Sequence, residues 1–217
     1  AAPRGCGRAG RFACFLFASL FPVAVSFPAS AQEHAMVAKL DELISHYALH
    51  DKFMGTVAVS KDGKLLFHKQ YGIRLPGKNA PPDDQTQYRI GSITKAFTAV
   101  MIMQLIEQGK LSLDTKLSKY FPDVANAESI TVGHLLGHRS GLGSMTDDPT
   151  YRDWFTDPKG REEMMEIIVR QPKVFEPGEQ QRYSNSNYVL LGYILEEATG
   201  KSYADLLQTQ ICEPVGL

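Results

Sequence analysis

The strand-forming patterns of this chain are confined to one short stretch, and this restricts the folds that it can adopt. A β-branched run, a strong turn signal at Asp62-Gly63 and a returning alternation of apolar and polar side chains predict an antiparallel hairpin over residues 53–71. A helix is predicted before it, over residues 34–50, and the spacing after residue 87 is helical. Because strands and helices do not alternate, we expect an α+β fold rather than a βαβ series.

A two-stranded hairpin alone is marginally stable in water, because it needs further strands or a covering helix. The helical pattern after residue 87 contains no second group of strands. We therefore expect that the rest of the sheet is missing from this chain.

Charge and composition exclude several classes of protein. The 217 residues include 23 Lys+Arg against 24 Asp+Glu, and 43% of them are hydrophobic. These values are typical of a soluble globular protein, and they argue against a disordered tail, a collagen-like rod or a disulfide-rich mini-protein. A near-neutral balance provides no basic surface for nucleic acid, so we expect no nucleic-acid partner.

Residues 1–31 have the three parts of a secretory signal peptide. Three arginines without an acidic residue precede an apolar run over residues 12–25, and Ala29-Ser30-Ala31 forms an A-x-A-like cleavage site. The run is too short to cross about 30 Å of hydrocarbon as a helix, and a membrane anchor is the alternative interpretation. We therefore expect a cleaved leader, a mature domain over residues 32–217 without a stable membrane span, and a periplasmic or secreted location.

The cysteine content fits an exported domain that depends on its hydrophobic core. Two of the three cysteines lie in the predicted leader, which leaves Cys212 in the mature chain. A single cysteine forms no internal disulfide. Because no histidine lies near Cys212 in the sequence, we interpret it as a packing residue rather than a nucleophile.

The helix predicted to begin near Ser92 contains the first chemical motif. Its body is apolar on nearly every side up to Gly109, a glycine placed to end it, and such a helix is expected to be buried. Ser92 and Lys95 are three residues apart and therefore share one face at the first turn. A serine, a nearby amine and a helix N-terminus that attracts negative charge are the parts of an activated nucleophile. An N-cap serine beside a solvated lysine is the competing interpretation of this motif alone.

A second motif follows a Pro177-Gly178 turn and ends in Tyr183-Ser184-Asn185, just before another apolar helix. A phenol and an amide on a short structured loop can point into a shared cleft. By itself, the motif is also explained by a packing tyrosine and by a helix N-cap at Asn185 or Ser186.

Taken together, these motifs resemble the serine β-lactamase-like family, in the branch of class C β-lactamases, D-alanyl-D-alanine carboxypeptidases and related esterases. The matching segments are spread over residues 53–217 in the family's order: the hairpin Gly55 to Tyr71, Gly91-Ser92-Ile93-Thr94-Lys95, Leu135 to Leu142, and Pro177-Gly178 with Tyr183-Ser184-Asn185. Arg139 stands where the family usually has a threonine, at a structural turn rather than in the chemistry. The Tyr-x-Asn motif, in place of Ser-Asp-Asn, favours this branch over class A.

The resemblance implies a role for each matching residue. Ser92 would be the acylated nucleophile, and Lys95 would accept or relay its proton. Tyr183 would be the general base in acylation and the general acid toward the leaving nitrogen. Asn185 would bind the substrate's amide carbonyl, and the backbone N–H of Ser92 would form half of an oxyanion hole. The implied substrates are β-lactams, D-alanyl peptides or small esters, and neither a cofactor nor a metal is implied.

The resemblance also implies an antiparallel sheet flanked by helices, plus an all-helical region, of which this chain would contain only the N-terminal hairpin of the sheet. The family's third motif, a Lys- or His-Thr/Ser-Gly strand beside the cleft, has no counterpart before Leu217. That strand would supply the second oxyanion donor, worth about 3–4 kcal/mol of transition-state stabilisation. We therefore expect residues 32–217 to be the N-terminal part of an enzyme and to be inactive alone.

Two other interpretations compete with this one. His134 and His138 have the spacing of metal ligands on a predicted helix, but Leu135 stands where the metalloprotease pattern needs a glutamate, so we interpret both as structural. The competing function is a penicillin-binding or sensor protein that uses the same pocket without turnover. The sequence does not indicate an oligomeric state.

Overall fold

A computed structural model describes residues 29–73 and 80–217 of the protein. Most of the predicted leader lies outside the described residues, and its last three residues begin the first helix. Cleavage of the leader stays a prediction. The chain divides into two compact units, one that ends at Tyr88 and one that begins at Arg89. None of the helices in the described ranges is both long enough and apolar enough to cross a membrane.

The first unit contains one long helix and a hairpin. Helix α1 is Ala29–Leu49, strand β1 is Gly55–Lys61 and strand β2 is Lys64–Tyr71. The strands pair antiparallel, with an irregularity in the register after Val59, and the turn has positive φ angles at both central residues, 51° at Asp62 and 73° at Gly63. Such a turn matches the right-handed twist of the strands. The predicted hairpin is therefore present, and the first helix begins five residues earlier than predicted.

Helix α1 is tied to the hairpin by a small polar cluster around Asp41. The carboxylate of Asp41 accepts hydrogen bonds from Lys69 Nζ at 2.6 Å, from the Tyr71 hydroxyl at 2.9 Å and from Ser45 Oγ at 3.1 Å. Hydrogen bonding to Lys69 and then to Tyr71 lowers the pKa of Asp41. The helix thus covers the short sheet in the way that an isolated hairpin requires.

The second unit is helical, and all of its residues are described. Short 3₁₀ turns lie between α2 and α3 and between α3 and α4, and a π turn joins the last two helices. The helices are α2 Thr94–Glu107, α3 Val132–Leu136, α4 Tyr151–Trp154, α5 Arg161–Val169, α6 Asn185–Thr199, α7 Tyr203–Leu207 and α8 Glu213–Val215. Between residues 89 and 217 the only strand-like pairings are two isolated bridges. The predicted division into a hairpin followed by helices is therefore observed.

The core of the second unit lies around α2 and α6. Seven of their apolar side chains are at most 1% exposed: Met101, Ile102, Leu105, Leu190, Leu191, Ile194 and Leu195. Burying each such side chain contributes about 1.5–3 kcal/mol relative to leaving it in water. This packing holds the N-terminal ends of both helices, where the two predicted motifs lie, on a rigid support.

Helix α2 is buried on one face rather than on every side, contrary to the expectation from its composition. Met101 and Ile102 are fully buried, whereas Val100 is 47% exposed and Met103 is 44% exposed. The physical reason is that α6 and α7, its helical neighbours in the second unit, cover only one side of it. The apolar composition of α2 therefore predicted a core helix, but it did not indicate which face of that helix is buried.

The segment after α3 makes a sharp turn that requires glycine at Gly141. Its φ is +75°, and a Cβ atom there would lie 2.0 Å from the carbonyl oxygen of Phe175. The backbone of this segment is also bonded to that of residues 173–178, since Val174 N–H donates to Gly141 O at 2.9 Å and Gly178 N–H donates to Arg139 O at 2.8 Å. Close backbone approach at this turn therefore fixes the path of residues 138–146.

We expect Gly141→Ala to destabilise the protein far more than Gly109→Ala. Both glycines have φ near +70°, but open space surrounds the position of a Cβ at Gly109. The left-handed conformation costs roughly 1–3 kcal/mol in each variant, and the overlap with Phe175 adds to it only at residue 141. Chemical denaturation of both variants measures the difference, and equal losses of unfolding free energy would contradict the close approach.

Candidate active site

Ser92 and Lys95 lie together at the beginning of α2. Ser92 is in the 3₁₀ turn Gly91–Ile93 that leads into the helix, and Lys95 is in the first helical turn. Lys95 Nζ donates a hydrogen bond to Ser92 Oγ at 3.3 Å. The N-cap position of α2 belongs to Ile93, so Ser92 is not the capping residue that the competing interpretation required.

Tyr183 reaches the same point from a loop that is distant in sequence. Its hydroxyl shares a hydrogen bond of 2.8 Å with Ser92 Oγ, across 91 residues of chain. Lys95 Nζ lies 4.9 Å from the centre of the Tyr183 ring. The structure therefore brings the predicted hydroxyl, amine and phenol within bonding reach of one another.

Asn185 completes the group and orients the amine of Lys95. Its Oδ1 accepts a hydrogen bond from Lys95 Nζ at 2.8 Å, while its Nδ2 donates to Thr146 Oγ1 at 3.1 Å. The backbone N–H of Asn185 donates to Ser144 Oγ at 3.0 Å. Because Asn185 is the first residue of α6 and Ser184 occupies the N-cap position, its side chain serves Lys95 rather than the helix end.

The environment shifts the pKa values of two neighbouring phenols in opposite directions. Hydrogen bonding to Lys95 and then to Ser92 lowers the pKa of Tyr183, and the positive charge of Lys95 lowers it further. Burial raises the pKa of Tyr188, whose hydroxyl donates to the carbonyl oxygen of Leu136. A lowered pKa favours loss of the proton from Tyr183, which suits a general base at that position.

The loop that presents Tyr183 and Asn185 is fastened to residues 138–146 by hydrogen bonds, and we call this contact the loop seam (residues 138–146 with 182–187). Ser184 Oγ and Ser186 Oγ both donate to the carbonyl oxygen of Gly143, at 3.2 and 2.9 Å. Ser186 Oγ in turn accepts the N–H of Met145 at 2.9 Å. Both serines are buried, so these bonds are shielded from water.

His138 contacts the site, although no sequence pattern placed it there. Its ring lies 4.6 Å from the ring of Tyr183 and 5.1 Å from that of Tyr188, measured between centres. The histidine stands in the segment that carried the family resemblance, but no local pattern indicates which tyrosine it contacts. It also lies beyond the end of α3, with a φ of +55°, and not on a helix with His134 as predicted.

His134 has a local structural role. Its Nδ1 accepts the N–H of Thr131 at 3.4 Å, and its own N–H donates to Thr131 Oγ1 at 3.1 Å, which caps α3. Across residues 29–73 and 80–217, no three His, Cys, Asp or Glu side chains are grouped in a way that could hold a metal ion.

A cavity of about 320 Å³ adjoins Lys95 and Asn185 within the second unit. Its walls include the aromatic rings of Tyr188, Tyr193 and Tyr203. The hydroxyl of Tyr203 shares a hydrogen bond of 2.7 Å with Thr98 Oγ1 of α2. Lys95 and Asn185 border this cavity, whereas Ser92 and Tyr183 are not among its lining residues.

Comparison with known proteins identifies the family of this chain. The model of the family described as Beta-lactamase matches residues 40–217. This chain therefore belongs to the β-lactamase family, and its fold is β-lactamase/transpeptidase-like, with helices and a two-stranded antiparallel sheet.

The curated relatives are longer than this chain. It is 34% identical over 177 residues to "Penicillin-binding protein 4*" of Bacillus subtilis (strain 168), a match that covers 76% of this chain and 37% of the relative. Among solved structures, D-amino acid amidase from Ochrobactrum anthropi SV3 superposes with a TM-score of 0.72 at 28% identity, covering 85% of this chain and 50% of that one. The octameric penicillin-binding protein homologue from Pyrococcus abyssi superposes with a TM-score of 0.71 at 35% identity, and the match covers 83% of this chain and 43% of that one.

We expect Lys95→Met to raise the pKa of the Tyr183 phenol toward its ordinary value near 10. The variant removes both the hydrogen bond and the positive charge that lower this pKa, while it keeps a long unbranched side chain. Near-ultraviolet titration of phenolate formation measures this pKa. Subtracting the spectrum of Tyr183→Phe isolates the signal of this one tyrosine. An unchanged pKa in Lys95→Met would show that Lys95 does not control the phenol.

Proposed function

We propose that this protein is a serine hydrolase that works through an acyl-enzyme, with Ser92 as the nucleophile. The observation that carries the proposal is the hydrogen bond of 2.8 Å between Ser92 Oγ and the Tyr183 hydroxyl, with Lys95 Nζ at 3.3 Å from the same Oγ. A nucleophile within hydrogen-bond reach of a base that a third group orients is the arrangement of nucleophilic catalysis. Family membership supports the same reaction class.

In the proposed acylation step, the phenolate of Tyr183 takes the proton from Ser92 Oγ as that oxygen attacks the substrate carbonyl. The new C–O bond gives a tetrahedral oxyanion beside the N-terminal end of α2, where the helix dipole stabilises negative charge. Collapse of this intermediate breaks the bond to the leaving group, which receives the proton back from Tyr183. Water then attacks the acyl-serine with Tyr183 again as the base, and Ser92 is regenerated.

Lys95 and Asn185 support this proton transfer in the proposed mechanism. The ammonium of Lys95 stabilises the phenolate of Tyr183 electrostatically, and Asn185 Oδ1 holds that ammonium in place. The family resemblance further assigns to Asn185 the substrate's amide carbonyl, and to the backbone N–H of Ser92 one half of the oxyanion hole.

We propose β-lactams, D-alanyl peptides or small esters as the substrate class. Relatives named as a penicillin-binding protein and as a D-amino acid amidase support acyl groups of this kind. No cofactor enters this mechanism.

The proposal extends to the location and processing of the protein. We propose that residues 1–31 are removed as a signal peptide and that the domain over residues 32–217 acts in the periplasm or outside the cell. The basic residues, the apolar run and the small residues at the exit support this.

A penicillin-binding protein without rapid turnover is the second candidate. It has the same acylation step but a slow attack of water on the acyl-serine. The match to a relative named "Penicillin-binding protein 4*" favours it. The two candidates therefore differ in the lifetime of one covalent intermediate.

The test is intact-mass spectrometry of the complete gene product during exposure to benzylpenicillin, together with assays on a p-nitrophenyl ester and a D-alanyl peptide. A transient adduct indicates a β-lactamase, a persistent adduct indicates the penicillin-binding alternative, and turnover of the ester or peptide without a penicillin adduct indicates another acyl preference. Absence of both adduct and turnover with every substrate would contradict the proposal.

Two variants and one control identify the nucleophile and the base. We expect Ser92→Ala to abolish the adduct and to lower turnover by about 10⁴-fold or more, and Tyr183→Phe to lower it by about 10²–10⁴-fold. Ser129→Ala removes an exposed serine hydroxyl elsewhere in the second unit and should leave both unchanged.

A further inference from the structure

The backbone of the loop that presents Tyr183 is bonded to His138 on both sides of that tyrosine. The N–H of Arg182 donates to the carbonyl oxygen of His138 at 2.9 Å, and the N–H of Ser184 donates to His138 Nδ1 at 3.3 Å. The imidazole ring also contacts the Tyr183 ring, at 4.6 Å between centres and an interplanar angle of 37°. One histidine therefore restrains Tyr183 at three places: the residue before it, the residue after it and its own ring.

The hydrogen bonds determine the tautomer of this histidine. Ser140 Oγ accepts the N–H of Leu142 at 3.1 Å and donates to Asn187 Oδ1 at 2.6 Å, which leaves the Asn187 Nδ2 group facing His138 Nδ1 at 3.3 Å. A backbone N–H and an amide N–H₂ can only donate, so Nδ1 must present its lone pair to both of them. The imidazole is therefore neutral, with its proton on Nε2.

We propose that His138 is a positioning residue: its neutral imidazole holds the Tyr183 phenol against Ser92, and protonation of Nδ1 releases that hold. The inference rests on the proposed function, because it concerns the geometry of the proposed base. Protonated Nδ1 would direct an N–H against the N–H of Ser184 and against the Asn187 amide. The peptide that follows Tyr183 would then lose its acceptor.

The charges around the ring determine the direction of the pH dependence. Burial of the ring, and then the positive charge of Lys95, hold the pKa of His138 below its ordinary value of 6.5. The rings of Tyr183 and Tyr188 contact the imidazole. The charged neighbours in the two bonded segments are Arg139 and Arg182, and Arg182 is paired with Asp147 at 3.2 Å. Since the neutral form is the competent one, we expect activity to fall as the pH drops through a midpoint below 6.5.

Two substitutions at His138 separate its hydrogen bond from its ring. His138→Asn places an amide oxygen where Nδ1 stands, and asparagine tolerates the φ of +55° at this position, but it removes the ring and the titration. His138→Phe keeps a ring against Tyr183 and removes the acceptor. His134→Gln is the matched control, because a glutamine at that position still completes the cap of α3 with Thr131.

In the complete protein, we expect kcat to fall by about tenfold in His138→Asn and by about 100-fold in His138→Phe, because a shift of about 1 Å in a reacting group can cost that much. We expect KM to change by less than about threefold, since His138 acts on the proposed base and not on the binding of substrate. His134→Gln should keep both constants. If His138→Asn unfolds at the wild-type temperature and retains the wild-type kcat, the inference is wrong.

The pH profile supplies a measurement that a purely structural role would not change. In the wild-type protein, the titration of His138 followed by nitrogen-15 NMR should show the Nε2–H tautomer. Its midpoint should coincide with one acid limb of kcat, in addition to the limb that comes from protonation of the Tyr183 phenolate. In His138→Asn the limb at the His138 midpoint should be absent, because asparagine does not titrate. An Nδ1–H tautomer, or a limb that persists at the same midpoint in His138→Asn, would overturn the proposal.

These outcomes are separate from those of the proposed function. A wild-type protein that forms no adduct and turns over no substrate refutes the hydrolase itself. An active wild-type protein whose His138 variants are equally active refutes only the positioning role.

Discussion

The loop seam is the contact on which the candidate site depends. It joins the segment after α3 to the loop before α6, and four of its bonds run between buried hydroxyls and backbone groups. A buried polar group without a partner costs roughly 1–3 kcal/mol, so the seam has one satisfied arrangement and few alternatives of similar energy. This is why the Tyr-Ser-Asn loop can hold a phenol at a defined distance from Ser92.

The two sides of the site are supported in different ways. Ser92 and Lys95 stand in the 3₁₀ turn before α2 and in its first turn, and α2 is fixed by apolar packing of residues such as Met101 and Ile102. Tyr183 and Asn185 are fixed by hydrogen bonds, because a loop of polar residues cannot bury enough apolar surface to hold itself. Lys95 links the two sides, because its amine is bonded to Ser92 Oγ in the turn before its own helix and to Asn185 Oδ1 at the start of α6.

Part of the site could be predicted from the sequence because its determinants are local. The spacing of Ser92 and Lys95 puts them on one face of any helix that begins there, and the Asp62-Gly63 turn determines a hairpin with little help from the rest of the chain. The meeting of Tyr183 with Ser92 is of a different kind. It spans 91 residues, and only the family resemblance indicated it in advance.

The sequence by itself determined the hairpin, the helical second unit and the pairing of a serine with a lysine at a helix start, because each follows from periodicity or from neighbours in the chain. The tertiary structure alone decided which face of α2 is buried and which residues surround the phenol. His138 illustrates the reason. Its contacts with Tyr183 and Ser184 depend on the path of the backbone through the close approach at Gly141, and a path set by packing between distant segments leaves no periodic signal in the sequence.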